Sequence, residues 1–474
     1  MVKKLSTLTI CIIITAGLLV TTSASAAETM PVEVRVWNWI TSELESNFLA
    51  FPEANQNGAD VAVADFDGDG YGEISIAAGY GSGPHVRMFS KAGAVEKVDF
   101  FPFKQEYHGG LSISGGDVDG DGKEDLAVAP RTGAQARVRL YKANEEREII
   151  SEFLAYPEAF QGGANVALGD FDGDGIDEVA VAPGNAGSPL IKLFEPNGDS
   201  MDKDFYAFDQ NDKGGASIAA GDFDGDGIDE LIVGHGPYGD PWVKTYRVDQ
   251  VDEILVGAWR AYNEGFRGGV KVAKADVDND GDDEVITAPG PGGGPNIRGF
   301  TPEGTMYKVN NMVYDGSFTG SFNLDAGDID RDGKTEIVTV PDRKLGDGRL
   351  DFFRYIDVSI AEQRLRAYEN AQVVKTYLVS TGTTKYPTPT GTFSVKGHIA
   401  NTRMSWEYGP DHPDNYDLPD VPHVLPFFGA YTIHGAYWHS NWGHRMSHGC
   451  INEPLPEAAW LYNWARDGDA VIVH

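Results

Sequence analysis

Short runs of alternating apolar and polar residues fill the middle of the chain. One repeat contains such runs at residues 153–156, 165–168, 178–182 and 190–194. Alternation with a period of two is typical of strands that bury one face, and glycine- and proline-rich turns separate the runs. The pattern therefore predicts many short β-strands and little helix.

The same group of strands recurs around an acidic loop. The loops begin at Asp65, Asp117, Asp170, Asp222, Asp276 and Asp328, and their spacings are 52, 53, 52, 54 and 52 residues. Four short strands per repeat of this length are typical of β-propeller blades. A further strand at 32–37 has no loop of its own, and we expect it to close the ring by pairing with the last blade. This predicts six blades; seven blades, one of them degenerate, is the alternative.

The length of the chain indicates its domain organisation, and its charge argues against some classes of function. A chain of 474 residues favours two or more domains or one large repeat architecture. Asp and Glu number 72 against 38 Lys and Arg, which gives a formal charge of −34. This charge repels phosphate backbones and anionic lipid surfaces, so it argues against nucleic-acid or membrane-surface binding over most of the chain. Bound cations are the expected partners.

Each acidic loop follows the pattern Asp-x-Asp-x-Asp-Gly-x-x-Glu/Asp, with small departures. A hard divalent cation takes about six to eight oxygen ligands, and alternate carboxylates in a tight turn all point inward. Glycine at the sixth position permits that turn. We predict carboxylate ligands at positions one, three, five and nine and a backbone carbonyl at position seven. Metal-free Asp-Gly hairpin turns are the alternative, but six acidic loops in phase favour a cation.

The predicted ligand residues are Asp65, Asp67, Asp69, Tyr71 and Glu73; Asp117, Asp119, Asp121, Lys123 and Asp125; Asp170, Asp172, Asp174, Ile176 and Glu178; Asp222, Asp224, Asp226, Ile228 and Glu230; Asp276, Asp278, Asp280, Asp282 and Glu284; and Asp328, Asp330, Asp332, Lys334 and Glu336.

These loops resemble the FG-GAP repeats of integrin-α-like propellers, over about residues 31–356. The resemblance implies a closed propeller, commonly seven-bladed in that family, with structural Ca²⁺ in the Asp-rich loops. It leaves the ligand of the propeller unidentified, because this fold serves both binding and catalysis.

Residues 1–26 have the features of an export signal. Lys3 and Lys4 precede an apolar run at 8–20, and the small residues at 24–26 form a cleavage site. The run is short for a bilayer span. We expect export to the cell wall, periplasm or extracellular space, with no membrane span after signal removal; a retained anchor is the alternative.

The composition changes after Tyr355, where the acidic repeat stops and eight of the eleven histidines follow. The polarity pattern predicts two strands within 358–380, another at 392–395 and a helix at 457–465. We therefore expect a small, mainly β domain at 357–474. The overall fold class is mainly β: a propeller followed by this second domain.

Two segments of this second domain carry candidate chemistry. His434 precedes a glycine, and Ser447 to Cys450 read Ser-His-Gly-Cys. A thiol is mostly protonated at neutral pH, so a nucleophilic cysteine needs an imidazole nearby. Gly449 lets a substrate carbonyl approach the backbone and frees N–H groups for a developing oxyanion. The arrangement suits acyl transfer.

A zinc site is the alternative chemistry for this region. The potential ligands are His434, His439, His444, His448 and Cys450. Their spacing matches no familiar zinc pattern, so we expect no cofactor for catalysis.

The second domain resembles the catalytic domain of L,D-transpeptidases, which carry a His-Gly or His-Ser pair followed by Ser-His-Gly-Cys. Residues 380–382, the turn at 388–393 and the closing strand at 470–473 also match that family. The resemblance covers roughly 357–474. It implies Cys450 as nucleophile, His434 as its base and the backbone carbonyl of Gly435 as the group that orients the imidazole.

The same resemblance implies that the N–H groups of Gly449 and Cys450 stabilise the oxyanion. His448 is a further candidate for proton transfer, with structural hydrogen bonding as its alternative role. No other residue is assigned to the reaction.

The implied function is cross-linking of bacterial peptidoglycan. Cys450 would attack the carbonyl of an L-centred diamino acid in a tetrapeptide stem, expel the terminal D-alanine and pass the acyl group to an amine of a neighbouring stem. Water as the acceptor would make the protein an L,D-carboxypeptidase. A calcium-stabilised adhesion or wall-binding protein, with the propeller as its working part, is the third possibility.

Overall fold

The computed structural model describes residues 31–474 apart from 143–146, 185–186, 211, 213, 238, 250–252, 317, 319, 343–353, 370–371, 408, 410–411, 413 and 467–468. The predicted export signal at 1–26 lies outside the described residues. No helix in the described part of the chain is long and apolar enough to cross a membrane.

The first 24 strands form six four-stranded antiparallel sheets. Blades 1 to 3 are β3 Ala59–Ala64, β4 Glu73–Ala78, β5 Val86–Phe89 and β6 Val95–Phe100; β7 Leu111–Gly116, β8 Asp125–Pro130, β9 Arg137–Tyr141 and β10 Ile149–Leu154; and β11 Ala164–Gly169, β12 Glu178–Pro183, β13 Leu190–Phe194 and β14 Phe205–Tyr206.

Blades 4 to 6 are β15 Ala216–Gly221, β16 Glu230–His235, β17 Trp242–Arg247 and β18 Ile254–Arg260; β19 Val270–Ala275, β20 Glu284–Pro289, β21 Asn296–Phe300 and β22 Met306–Met312; and β23 Phe322–Gly327 and β24 Glu336–Pro341 with β1 Glu33–Asn38 and β2 Leu44–Leu49. The mainly β fold and the six blades of the prediction are confirmed.

The second strand of each blade is buried along its whole length, as in Glu178–Pro183. It lies within its own sheet and is covered by the neighbouring blades, which explains its near-continuous apolar sequence. One buried cluster joins Phe171 and Leu193 of blade 3 to Leu231 and Val233 of blade 4. Packing between blades therefore forms the core of the propeller.

The ring is closed by the N-terminal strands. Val36 of β1 pairs with Val338 of β24 in antiparallel register, so the prediction for residues 32–37 is confirmed. On the inner side, the N–H of Val63 in blade 1 donates to Asp325 Oδ2 of blade 6 at 2.8 Å. The last blade is thus bonded to the first.

The C-terminal region contains two further sheets and one helix. The first sheet consists of β25 Arg354–Ser359, β26 Arg364–Glu369, β27 Gln372–Leu378, β28 Gly391–Ser394 and β33 Ala470–Val473, and the second of β29 Ile399–Trp406, β30 Tyr416–Phe428, β31 Tyr431–Gly435 and β32 Ile451–Glu453. The helix, α1, is Leu455–Trp464 and begins close to the predicted position.

A shared apolar core holds these C-terminal elements together. Ile356, Phe427, Ile433 and Leu461 are fully buried, or nearly so, in one cluster. The segment predicted as two strands at 358–380 contains β26 and β27 and the end of β25. This core fixes β31 and β32, the strands that carry the candidate catalytic residues.

Candidate active site and metal loops

A parallel pair of strands positions the candidate catalytic residues. In this pair His434 of β31 lies opposite Asn452 of β32. Side chains alternate along a strand, so Thr432 projects on the same face as His434. Cys450, just before β32, reaches this face as well. Four polar or nucleophilic side chains therefore meet on one side of the pair.

The Thr432 hydroxyl lies between the candidate base and the candidate nucleophile. Its oxygen is 2.8 Å from His434 Nδ1 and donates to Cys450 Sγ across 3.6 Å. Burial raises the pKa of the Cys450 thiol, and hydrogen bonds from the N–H and hydroxyl of Thr432 partly offset this. The resting site therefore favours the neutral thiol.

The His434 imidazole is buried and neutral. Burial lowers its pKa to about 4, while a hydrogen bond with Asn452 acts in the opposite direction. A neutral imidazole has a nitrogen lone pair available to accept a proton. His434 therefore has the protonation state that a general base requires.

Asn452 links two histidines. Its amide bonds to His434, and its Nδ2 lies 3.0 Å from Nε2 of His439. The His439 ring in turn contacts the ring of Trp442 at 4.6 Å between centroids. Asn452 thus holds the side of the His434 ring that faces away from Thr432.

The sequence motifs assign no catalytic role to Thr432, Asn452 or His439. Threonine within a strand is common and gives no motif signal. Only the strand pairing, which brings together positions 18 residues apart, reveals its contact with Cys450.

Gly449 adopts a backbone conformation that disfavours other residues. Its φ is +113°, and a Cβ at this position would lie 2.5 Å from the ring of Tyr431. Its N–H donates to Ser447 Oγ at 3.1 Å. An oxyanion would have to replace that bond, so the oxyanion role of Gly449 and Cys450 stays a prediction.

His448 is placed among aromatic side chains. Its ring centroid lies 4.7 Å from that of Tyr386 and 5.0 Å from that of Tyr416. Burial lowers its pKa. A direct role in proton transfer stays a prediction, as does the orienting role of the Gly435 carbonyl. The His434 ring hydrogen-bonds with Thr432 and Asn452 and lies 5.8 Å from the Trp438 ring between centroids.

The hairpin of β29 and β30 approaches the site. Tyr416 at the start of β30 is close enough to Cys450 for the thiolate charge to raise the tyrosine pKa, after the larger effect of burial. A cavity of about 330 Å³ lies beside Tyr416, Trp406 and Arg403. This hairpin therefore forms a wall near the nucleophile.

The zinc alternative is not favoured by this geometry. His439 faces Asn452, and His448 lies between two tyrosine rings. Two of the potential ligands therefore have other neighbours.

The acidic loops, numbered 1 to 6 from Asp65 to Asp328, share one backbone geometry. In loop 3, Asp170 Oδ1 accepts N–H bonds from Gly173 and Asp174 at 2.7 and 3.2 Å, and its Oδ2 accepts one from Gly175 at 2.9 Å. The first aspartate thus shapes the turn around itself.

Carboxylates at positions one, three and nine converge in loops 1 to 4. In each loop the three oxygens lie within 4.8 Å of one another: Asp65, Asp67 and Glu73; Asp117, Asp119 and Asp125; Asp170, Asp172 and Glu178; Asp222, Asp224 and Glu230. Burial and the neighbouring carboxylates raise the pKa of Glu178 to about 8. Oxygen ligands crowded in this way fit a hard divalent cation.

The ninth position is Asp125 in loop 2 and glutamate elsewhere. Each glutamate accepts the N–H of position two, as Glu178 does from Phe171 at 2.9 Å. Asp125 is one methylene shorter and is buried, and its Oδ2 has no hydrogen-bond partner among the described residues. The side chain at position nine of loop 2 therefore departs from the arrangement in the other loops, although the backbone of the loop is the same.

Family models match both parts of the chain. Residues 353–473 match the L,D-transpeptidase catalytic domain. Residues 117–181, 170–233 and 276–339 match the FG-GAP-like repeat, and 57–95 match the FG-GAP repeat. The fold and site thus define a cysteine-dependent enzyme domain preceded by a propeller. The chain carries a C-terminal L,D-transpeptidase catalytic domain and N-terminal FG-GAP repeats with integrin-α-like homology.

Two curated relatives each match one part. The probable L,D-transpeptidase 3 of Mycobacterium tuberculosis is 34% identical over 104 residues, which are 20% of this chain and 36% of the relative. Mouse integrin alpha-IIb is 29% identical over 228 residues, which are 41% of this chain and 21% of the relative. The chain thus spans about a third of the length of the L,D-transpeptidase and about a fifth of the length of the integrin.

Among solved structures, L,D-transpeptidase 3 from M. tuberculosis in complex with a faropenem-derived adduct is 22% identical. The match covers 29% of this chain and 73% of that chain, with a TM-score of 0.25.

Proposed function

We propose that the chain is an exported L,D-transpeptidase that acts on peptidoglycan stem peptides through an acyl-enzyme on Cys450. The observation that carries this proposal is the placement of the Thr432 hydroxyl between His434 Nδ1 and Cys450 Sγ. A half-buried thiol connected to a neutral imidazole is an arrangement that suits nucleophilic acyl transfer.

Thr432 passes the proton between the two residues. In the proposed tautomer, the ring nitrogen of His434 that faces away from Thr432 donates to Asn452, so that Nδ1 carries the free lone pair. For this step the Thr432 hydroxyl turns from Cys450 Sγ to donate to Nδ1; as the thiolate forms, the Cys450 proton moves to the Thr432 oxygen while the Thr432 hydroxyl proton moves to Nδ1. Threonine is unchanged after the transfer, and the imidazole has become an imidazolium.

The remaining steps return that proton. The thiolate adds to the substrate carbonyl, and the tetrahedral intermediate expels the amine of the terminal D-alanine, which takes the proton from the imidazolium. An acceptor amine then attacks the thioester, and its proton passes by the same route to the leaving thiolate. One peptide bond breaks and one forms, and Cys450 is regenerated.

The substrate class is a tetrapeptide stem with an L-centred diamino acid. The family match at 353–473 supports this choice. Because peptidoglycan lies outside the cytoplasm, the proposal includes export through the predicted signal at 1–26.

The acidic loops of the propeller hold structural Ca²⁺. The convergence of carboxylates at positions one, three and nine in loops 1 to 4 supports this, as does the FG-GAP match. Bound Ca²⁺ neutralises carboxylates that otherwise repel one another. The propeller serves to target or bind the enzyme to a ligand in the wall.

The test is incubation of the full chain with purified tetrapeptide muropeptides, followed by mass spectrometry, with Cys450→Ser as the matched control. A cross-linked dimer supports transpeptidation. Loss of one alanine without dimer assigns the carboxypeptidase instead. Unchanged muropeptides from both proteins would overturn the enzymatic proposal.

A further inference from the structure

The six blades offer an internal comparison at one position beside the metal loops. In each blade the third strand carries an aromatic residue that pairs with the residue after loop position nine, as Phe194 pairs with Val179. The next residue therefore lies beside the position-nine carboxylate; in blade 6, Asn38 pairs directly with Glu336. From blade 1 to blade 6 these flanking residues are Ser90, Lys142, Glu195, Arg247, Thr301 and Asn38.

Two of the flanking residues are cations, and both reach into their own loop. Lys142 forms ion pairs with Asp119 and, at 3.3 Å, with Asp121. Arg247 forms ion pairs with Asp224 at 3.1 Å and Asp226 at 2.6 Å. Loops 2 and 4 therefore each have a positive side chain among their carboxylates.

Loop 6 receives a cation from a different place. Lys91, just after β5 of blade 1, lies 2.7 Å from Asp330 and 3.7 Å from Glu336. It also pairs with Glu45 of β2, which adds an acid to this loop. Every even-numbered loop thus has a Lys or Arg in contact with at least two of its carboxylates.

The odd-numbered loops differ, within the part of the chain that the structure describes. In loop 1, Lys123 and Arg331 donate to the backbone carbonyls of Asp67 and Asp69 and not to carboxylates. In loop 5, the neutral hydroxyl of Tyr307 donates to Asp278.

Loop 3 is flanked by an acidic residue and not by a cation. Its flanking residue is Glu195, which is close enough to Asp172 and Asp174 for their charges to act on it. Glu195 therefore adds negative charge beside this loop, and no ion pair to the carboxylates of loop 3 is seen among the described side chains.

We propose that Ca²⁺ binding alternates around the ring: loops 1, 3 and 5 bind tightly, and loops 2, 4 and 6 bind weakly because Lys142, Arg247 and Lys91 act as internal counter-ions. This inference rests on the proposed calcium function of the propeller and specifies which loops carry it. To bind in an even-numbered loop, Ca²⁺ must displace a side chain that already neutralises two carboxylates, and it then stays close to that positive charge.

The expected difference in affinity is at least tenfold, or about 1.4 kcal/mol. Loop 2 should be the weakest site, because Asp125 is also too short to adopt the common geometry of position nine. At low Ca²⁺ concentrations the protein would therefore hold three ions, in loops 1, 3 and 5, while the carboxylates of loops 2, 4 and 6 stay paired with Lys142, Arg247 and Lys91.

The test is calcium titration of the chelator-stripped full chain by isothermal calorimetry, with native mass spectrometry to count the ions. Three tight sites and a weaker class support the proposal. Six sites of one affinity overturn it while leaving the calcium function intact. An absence of calcium binding overturns both, so the two failures are distinguishable.

Exchanging residues between blades provides matched variants. Arg247→Thr installs the residue that flanks loop 5 and should raise the tight count from three to four. Lys142→Ser installs the residue that flanks loop 1 and should tighten loop 2 only as far as the short Asp125 allows. Ser90→Lys installs the loop 2 residue and should lower the count to two. These three positions are half-buried, and thermal melting in excess Ca²⁺ checks that each variant folds. Unchanged counts in all three folded variants would overturn the proposal.

Discussion

The Thr432 oxygen lies 2.8 Å from Nδ1 of His434, on the edge of the ring that a general base would use. The same oxygen donates to Cys450 Sγ at 3.6 Å. The proposed nucleophile is therefore in contact with a hydroxyl that no motif includes. Conservative substitutions of Thr432 can distinguish the effect of its hydroxyl from the effect of its packing.

Thr432→Val should lower kcat by about 10²-fold, within the usual contribution of positioned proton transfer, and leave KM nearly unchanged. The measurement is steady-state turnover of a tetrapeptide stem, together with the pH profile of iodoacetamide alkylation at Cys450. The alkylation profile should move to higher pH, because the thiolate loses a hydrogen-bond donor.

Thr432→Ser is the control for that variant, since it keeps the hydroxyl and loses only a methyl group. It should retain most of the turnover. Equal activity of the valine and serine variants would contradict the relay through Thr432.

Cys450→Ser should abolish turnover, because a hydroxyl has a far higher pKa than a thiol and the same imidazole activates it poorly. Wild-type protein incubated with faropenem should gain a covalent adduct on Cys450, measured by intact-mass and peptide mass spectrometry. An adduct on another residue would argue against Cys450 as the nucleophile.

His434→Ala should lower the rate by roughly 10²- to 10⁴-fold while leaving the fold intact. Circular dichroism reports the fold and muropeptide turnover the rate. His448→Ala is the comparison variant: its ring packs between Tyr386 and Tyr416, so the variant tests whether that ring has more than a packing role.

Gly449→Ala should destabilise the catalytic domain by about 1–3 kcal/mol, because its φ is +113° and the new Cβ would collide with Tyr431. The control is Gly443→Ala, where φ is +84° but the nearest atom to a Cβ is 3.5 Å away. Chemical denaturation should show the larger loss for Gly449→Ala; equal losses would mean that the contact with Tyr431 is unimportant.

Glu453 provides a pH-dependent test of stability. It accepts a hydrogen bond from Tyr377 at 2.5 Å, and its second oxygen has no hydrogen-bond partner among the described residues. Burial raises its pKa to about 8 from an ordinary value of 4.5. The folded state thus keeps a proton that the unfolded state loses, so this group lowers stability progressively between those two pH values.

Glu453→Gln removes that titration. The variant should gain stability relative to wild type as pH rises from 5 to 8, by of the order of 1–3 kcal/mol at the upper end. Denaturant melts at several pH values measure this. A difference that does not change with pH would show that the carboxyl titrates normally in the folded protein.

Removal of calcium should lower the melting temperature of the propeller by several degrees, because ions that bind only the folded loops stabilise it by mass action. Differential scanning calorimetry of the full chain with a chelator and with millimolar Ca²⁺ makes the comparison. Identical curves would contradict calcium binding in the loops.

The sequence predicts the propeller well, because each repeat carries its own strand pattern and the acidic loops mark the register. It also predicts the pairing of residues 32–37 with the last blade, since a strand without a loop needs a partner. The contact between Thr432 and Cys450 could not be predicted in this way. It depends on the register of two parallel strands, and one residue of shift would place Thr432 on the opposite face.

The differences among the loops also lie beyond the repeat pattern. Lys142 and Arg247 occupy one equivalent position in the repeat, but Lys91 reaches loop 6 from a different blade. Alignment of the repeats shows the first two cations, while the third depends on how blades 1 and 6 meet in space.

The seam between β1 and β24 joins residues far apart in the chain: Trp37 Nε1 donates to Thr339 Oγ1 at 3.2 Å across 302 positions. Closing so long a loop is entropically costly and slow compared with forming the hairpins within a blade. Pairing of β1 with β24 is therefore expected to be the last step of propeller folding. A protease that removed residues 33–49 would leave blade 6 with two strands and expose β24 as a free edge. The closed ring therefore depends on a strand pair between the two ends of the propeller sequence as well as on the local hairpins.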